Sequence, residues 1–268
     1  MKKRHTILML LLAAVACEEP LERTIAPGLQ DWLVVESVLT NENVSQKVKL
    51  SHPHVDVGGQ PRAATGALVG VVEEGGAVFL FQEMPVGSGV YMSAPFRATF
   101  GRSYTLVVRY RGAEYRATDA SEPVDPLPPL RYNRADTVPT FYRLEEGESG
   151  NRPNYIEHQI SWQNTAQCQA GQACRAMVTV YSLKNIDVNS LFKPGKKDFI
   201  FPAGSTIIRR KYAVSDAYKA YLRSMLSETE WRGGVFDVER GNAASNLGPG
   251  ATGFFAVTTV LGDTTLVQ

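Results

Sequence analysis

Three small groups of side chains in this sequence have types and spacings that could do chemistry. The first is Cys17, which directly follows Ala14-Val15-Ala16. Before them lie a basic start, Lys2, Lys3 and Arg4, and an apolar run from Ile7 to Ala16. Ten apolar residues are too few to cross a hydrocarbon core as a helix, which takes about 20. Small residues immediately before a cysteine resemble a bacterial lipobox, in which the thiol is acylated and the peptide before it is removed. Residues 1–16 would then be a signal peptide and Cys17 the first residue of the mature chain, carrying acyl groups such as palmitate. The alternative is an ordinary secretory signal with a cysteine there by chance. The second group is Cys168 and Cys174, separated by Gln-Ala-Gly-Gln-Ala. In an oxidising compartment this pair is expected to close a short loop as a disulfide. The spacing lacks the CxxC form and the histidine partners of a zinc site. The third is His52-Pro53-His54-Val55-Asp56, where an extended chain would put His52, His54 and Asp56 on one face. Two imidazoles and a carboxylate can hold Zn²⁺, but the same residues also read as a polar strand end running into Val57-Gly58-Gly59.

Other chemistry is thinly represented. No Gly-x-Ser-x-Gly elbow is present. The stretch Asn246-Leu247-Gly248-Pro249-Gly250 lacks the Lys and Ser/Thr of a phosphate loop, and no motif calls for a cofactor. Triads whose members meet only in the fold stay open. His158 lies on an alternating apolar face and reads as a hydrogen-bonded core histidine rather than a ligand. Tyr132, Phe141, Tyr142 and Tyr155 form either a binding surface or an interdomain core, since aromatics populate both.

The elements that must position these residues are mostly strands. Residues 17–30 carry charge, Pro and Gly without a period and read as a tether. From Asp31 to Ser121, seven short β-prone runs are separated by turn residues such as Glu74-Gly75-Gly76 and Arg111-Gly112. That spacing predicts an immunoglobulin-like β-sandwich over 31–121. Residues 122–130 hold four prolines between Pro123 and Pro129, which cannot donate to a ladder and favour an extended spacer. The remainder, 131–268, reads as a second β-rich domain. Its single helix spans 216–229, with Ser215 as N-cap and Tyr218, Tyr221, Leu222, Met225 and Leu226 on one stripe. The two cysteines fall in the connection between strands at 155–162 and 175–182. The fold class expected is therefore mainly β, a sandwich followed by a second β-rich domain with one amphipathic helix.

Composition narrows the partners. The 268 residues include 28 basic and 27 acidic side chains, and losing Lys2, Lys3 and Arg4 with the signal leaves 25 against 27, a net −2. No basic cluster marks a nucleic-acid surface. An apolar content of 44% with 21% charge is that of a globular chain.

Several local motifs, taken in order, carry a family resemblance. They are the LVVES opening strand, Gly101 with Tyr104-Thr105-Leu106 and Val108, the DAYKAYLRS helix, Gly233-Gly234 with Phe236, and the near-terminal Gly-Phe-Phe-Ala-Val. Together they resemble an uncharacterised lipoprotein family of the Bacteroidota, typically encoded beside TonB-dependent receptors. The resemblance spans almost the whole mature chain and assigns no catalytic residue; the Cys168–Cys174 loop is a departure from it. It implies an outer-membrane, lipid-anchored protein that acts by binding, as an accessory subunit of such a receptor in nutrient uptake. Glu18 and Glu19, just after Cys17, resemble the acidic export signal of surface lipoproteins, and also read as a solvated tether. A tethered hydrolase with a site near His158 or the helix, and a purely structural envelope component, are the other readings.

Overall fold

Alternating burial along each strand of the first half wraps that half around a single core. The computed structural model describes residues 28–54, 59–135, 138, 140–145, 150–183, 199–229 and 243–268. Seven strands follow in order: β1 (Leu33–Thr40), β2 (Val44–Ser51), β3 (Leu68–Glu73), β4 (Val78–Glu83), β5 (Val90–Phe96), β6 (Ser103–Tyr110) and β7 (Ala113–Ala120). Leu33, Val35 and Leu39 of β1 meet Tyr104, Leu106 and Val108 of β6 in that core, while residues between them point outward, as the period of two requires.

An eighth strand, β14 (Ala251–Thr258), comes from the far end of the chain and pairs parallel with β1, from Leu33 opposite Ala251 to Thr40 opposite Thr258. The sheet order is β14-β1-β2-β5-β4-β3-β6-β7. The sandwich expected over 31–121 thus takes the form of one sheet that curls until its two edges, β7 and β14, face each other. Side chains fasten that seam. The Val257 amide donates to Asp119 at 2.9 Å, and Asn246 bonds both the carbonyl and the amide of Phe255 and the carbonyl of Thr118. A parallel bridge joins Glu122 to Thr258. The result is nearly a barrel.

β14 is buried on both faces, which explains the unbroken apolar stretch from Gly253 to Val257 within it. Phe255 and Val257 point into the curled sheet, whereas Phe254 and Ala256 point outward to a second cluster. That cluster is closed by α1 (Asp216–Glu228), the only helix among the described residues. The Ser215 hydroxyl accepts from the Tyr218 amide at 3.1 Å, as an N-cap should. Tyr218, Leu222 and Leu226 are buried against Phe254, Ala256 and Val38.

The remaining strands form two smaller sheets. β10 (Asn154–Ser161), β11 (Arg175–Ser182), β13 (Thr206–Ala213) and β15 (Val260–Leu266) make an antiparallel sheet in the order β11-β10-β13-β15. β8 (Tyr132–Arg134), β9 (Phe141–Leu144) and β12 (Ile200–Pro202) make a three-stranded sheet that packs on it through Ile160, Ile207, Phe201 and Val267. The chain is mainly β, with one helix among the described residues, as its sequence pattern predicts. The division at 122–130 assigns Ala251–Thr258 to the second half by sequence, yet hydrogen bonding places that strand in the first sheet, so β14 and β15 tie the halves together.

Candidate interaction surface

The His52, His54 and Asp56 grouping does not present three free ligands. His52 is buried, with Nδ1 3.2 Å from the Trp32 carbonyl oxygen and Nε2 3.1 Å from the Tyr110 hydroxyl. Burial, reinforced by Arg62, lowers its pKa. His54 is exposed, and Asp56 lies outside the described residues. Among the described residues no group of three or more His, Cys, Asp or Glu side chains could hold a metal ion. Cys17 also lies outside the described residues, as do Gly233, Gly234 and Phe236. Cys168 and Cys174 form a disulfide with Cα atoms 5.6 Å apart, in the connection between β10 and β11.

The four aromatic candidates separate into two places. Tyr132 and Tyr142 meet edge to face at 5.3 Å and pack under the three-stranded sheet, with Phe141 half-buried beside them. Tyr155 lies elsewhere, stacked on Tyr212 at 4.5 Å and edge-on to Tyr218. There it joins Val38 and Phe254 of the curled sheet to α1, an interdomain core rather than a surface. Burial pushes the phenol pKa values of Tyr155, Tyr212 and Tyr218 upward, so these groups stay neutral. His158 is likewise a core residue, but its Nδ1 has no hydrogen-bond partner among the described residues, which the sequence reading did not foresee. It stands in a cross-strand row with Val178, Arg209 and Asp263.

Arg209 and Lys211, on the same face of β13, are buried cations with a shared task. Arg209 binds the Asp263 carboxylate through Nε at 2.8 Å and through Nη2, and its Nη1 donates to the Pro128 carbonyl at 2.8 Å. Lys211 Nζ donates to the Pro126 carbonyl at 2.9 Å. The proline-rich segment is therefore docked rather than a free spacer. Proline lacks an N–H but keeps its carbonyl, and two buried donors use it. Asp125 adds a further tie by accepting from the amides of Asn151 and Arg152, and these bonds hold its carboxyl below the usual range.

The opposite face of the four-stranded sheet is graded by row. Tyr181, Tyr155, Tyr212 and Val260 lie under α1. In the next row Glu157 accepts from the Tyr212 hydroxyl at 2.8 Å, while Arg210 reaches Glu42 in the turn between β1 and β2. Beyond it the face is open. Met177, Gln159, Ile208 and Thr264 form one row, and Arg175, Ser161, Thr206 and Leu266 the next. Met177 is 65% exposed, Leu266 60% and Ile208 42%, an apolar content unusual for a face left to water. A groove of about 470 Å³ runs over these rows, bordered by Gln163 and Arg175. Its mixture of apolar side chains with amide, hydroxyl and guanidinium groups suits recognition by shape and hydrogen bonding. The sequence could not have singled it out. β13 reads Thr-Ile-Ile-Arg-Arg, with one Ile for each face, and only the sheet shows that Ile207 is covered and Ile208 is not.

A comparison with curated proteins finds no match. The family described as Domain of unknown function (DUF4249) matches residues 18–262, nearly the full length of the structure just described. The chain belongs to that family.

Proposed function

We propose that this chain is a lipid-anchored binding protein of the bacterial outer membrane, serving a TonB-dependent receptor as an accessory subunit in nutrient uptake. The observation that carries the binding reading is the open groove over Met177, Ile208 and Thr206, built on a hydrogen-bonded sheet whose other face buries Ile160 and Ile207. Such a surface is pre-organised and loses little freedom on association. The anchor reading rests on the Ala14-Val15-Ala16-Cys17 sequence after its short apolar run. Two or more acyl chains on Cys17 would hold the protein stably, since each buried methylene contributes about 0.8 kcal/mol. Among the described residues no helix is long and apolar enough to cross a membrane. The receptor partnership and the Bacteroidota setting rest on the resemblance of the ordered motifs.

The test is a mild-detergent extraction of the tagged full chain from its native membrane, read by mass spectrometry. A TonB-dependent receptor recovered in stoichiometric amount is the expected result. Recovery of the lipoprotein alone would favour an independent binder or a tethered enzyme. In the same preparation, Cys17→Ala should move the protein to the soluble fraction, and unchanged fractionation would exclude the anchor.

A further inference from the structure

We infer that the end of the curled sheet where the described chain enters, at Gly28, is built to rest on a lipid headgroup surface, an inference that rests on the anchored reading. The described chain enters at Gly28, and the ladder bonds gather one set of loops at that end. Asp31 lies 3.9 Å from Arg62 and 4.0 Å from Arg111, and His52 bonds both Trp32 and Tyr110. Leu50 donates to the Gly89 carbonyl, and Gly66 and Gly89 both donate to Glu83. The starts of β1, β3, β5, β7 and β14 and the ends of β2, β4 and β6 therefore share this end. The four-stranded sheet attaches at the other, where Thr258 bonds Ala213 and Val260 bonds Asn41.

The side chains at the near end are unusual for one facing water. Val86, at the tip of the turn between β4 and β5, is 90% exposed, Met84 beside it 59%, and Leu68 at the start of β3 70%. A bare Val at a loop tip gains by entering an apolar boundary, and the flanking cations suit phosphate-bearing headgroups. Arg62, Arg109, Arg111 and Arg116 are each more than half exposed. They stand against Asp31, Glu83 and Glu114, of which Glu83 is turned to backbone amides and Glu114 to Arg109 and Arg116. Long arginine stems can lie along an acyl boundary while their heads stay at the headgroups. From Cys17 to Gly28 the chain spans at most roughly 40 Å, enough to let the body hang free of the bilayer, so contact is not imposed by the tether. The exposed tip, the exposed arginines and the point of chain entry coincide at one end, and that coincidence commits this surface to lipid rather than to a protein partner. The groove over Met177 and Ile208 is then held away from the bilayer.

The experiment places an environment-sensitive fluorophore on the acylated full chain in vesicles of phosphatidylethanolamine and phosphatidylglycerol. Val86→Cys carries it at the near end and Phe100→Cys, also exposed, at the other. Cys17 is acylated and Cys168 and Cys174 are bridged, so each variant offers one labelling thiol. The expected result is a blue-shifted emission at position 86, quenched by lipids spin-labelled near the headgroup, with neither effect at position 100. Equal quenching at both positions, or none at 86 while the protein floats with the vesicles, would overturn the inference. Intact mass without acyl chains would instead count against the anchor. The same probe pair is then read on the Cys17→Ser chain held to nickel-chelating lipid by an N-terminal histidine tag, with the same two outcomes deciding.

Discussion

The two ring nitrogens of His52 face a carbonyl and a phenol, which makes this residue sensitive to pH. If Nδ1–H donates to Trp32, Nε2 is left as the acceptor for the Tyr110 hydroxyl, an arrangement only the neutral ring can make. Burial comes first among the causes that lower its pKa, with Arg62 and Arg111 adding to it and Asp31 and the Trp32 carbonyl opposing. Between the lowered folded value and the unfolded 6.5, the unfolded chain binds more protons, so stability rises with pH through that window and is lost on acidification. His158 acts in the same sense. Asp119, whose pKa burial raises, acts oppositely at lower pH, so the quantity to read is the difference between wild type and variant. The urea midpoint should fall between about pH 7 and about pH 5, and His52→Asn should flatten that fall. An unchanged slope in the variant would show that His52 does not titrate with unfolding. None of this was legible in the sequence, where His52 stood out only for its spacing from His54. Gln46 is a similar case. Its side chain satisfies Thr40, Glu42 and Phe96 backbone groups around the turn that carries Glu42 to Arg210, and nothing in its neighbours along the chain announces that role.

At the scale of elements, the periodic segments were readable and the short or non-local ones were not. β2 and β10 alternate, β1, β6 and β11 are rich in β-formers, and α1 carries both a cap and a stripe, so each declares itself. β8 is three residues long, below the length at which alternation means anything. The docking of 122–130 depended on Arg209 and Lys211, more than eighty residues away. The disulfide was legible because both cysteines lie in one short connection. It closes a loop of few residues, so replacing Cys168 and Cys174 together with Ala should cost only about 2 kcal/mol in urea denaturation, without loss of fold. Global unfolding of that variant would mean the connection does more than close a loop. β14 is more exacting. Gly253 has φ +93°, and a Cβ there would sit 2.1 Å from the Val35 carbonyl oxygen. Gly253→Ala should destabilise by more than about 2 kcal/mol, since neither the backbone nor the neighbouring strand can yield cheaply. A variant as stable as wild type would contradict the tight parallel pairing of β14 with β1.

The whole molecule has two ends. One is where the described chain enters at Gly28 and carries Val86, Met84 and Leu68; the other bears the four-stranded sheet with its open groove. β14 and β15 connect them, and the Tyr155–Tyr212–Tyr218 stack with Phe254 fills the junction. The proposed anchor rests on a linear signal, while the groove depends on register among four strands drawn from residues 154 to 266 and on what covers each face. The central claim is that this groove meets a partner. A photo-reactive amino acid at position 177, in the full chain in its native membrane, tests it most directly, with position 47 on the outer wall of the curled sheet as control. A discrete adduct at 177 containing a TonB-dependent receptor, and none at 47, is the expected result. No adduct at 177, or the same adducts at both positions, would contradict it.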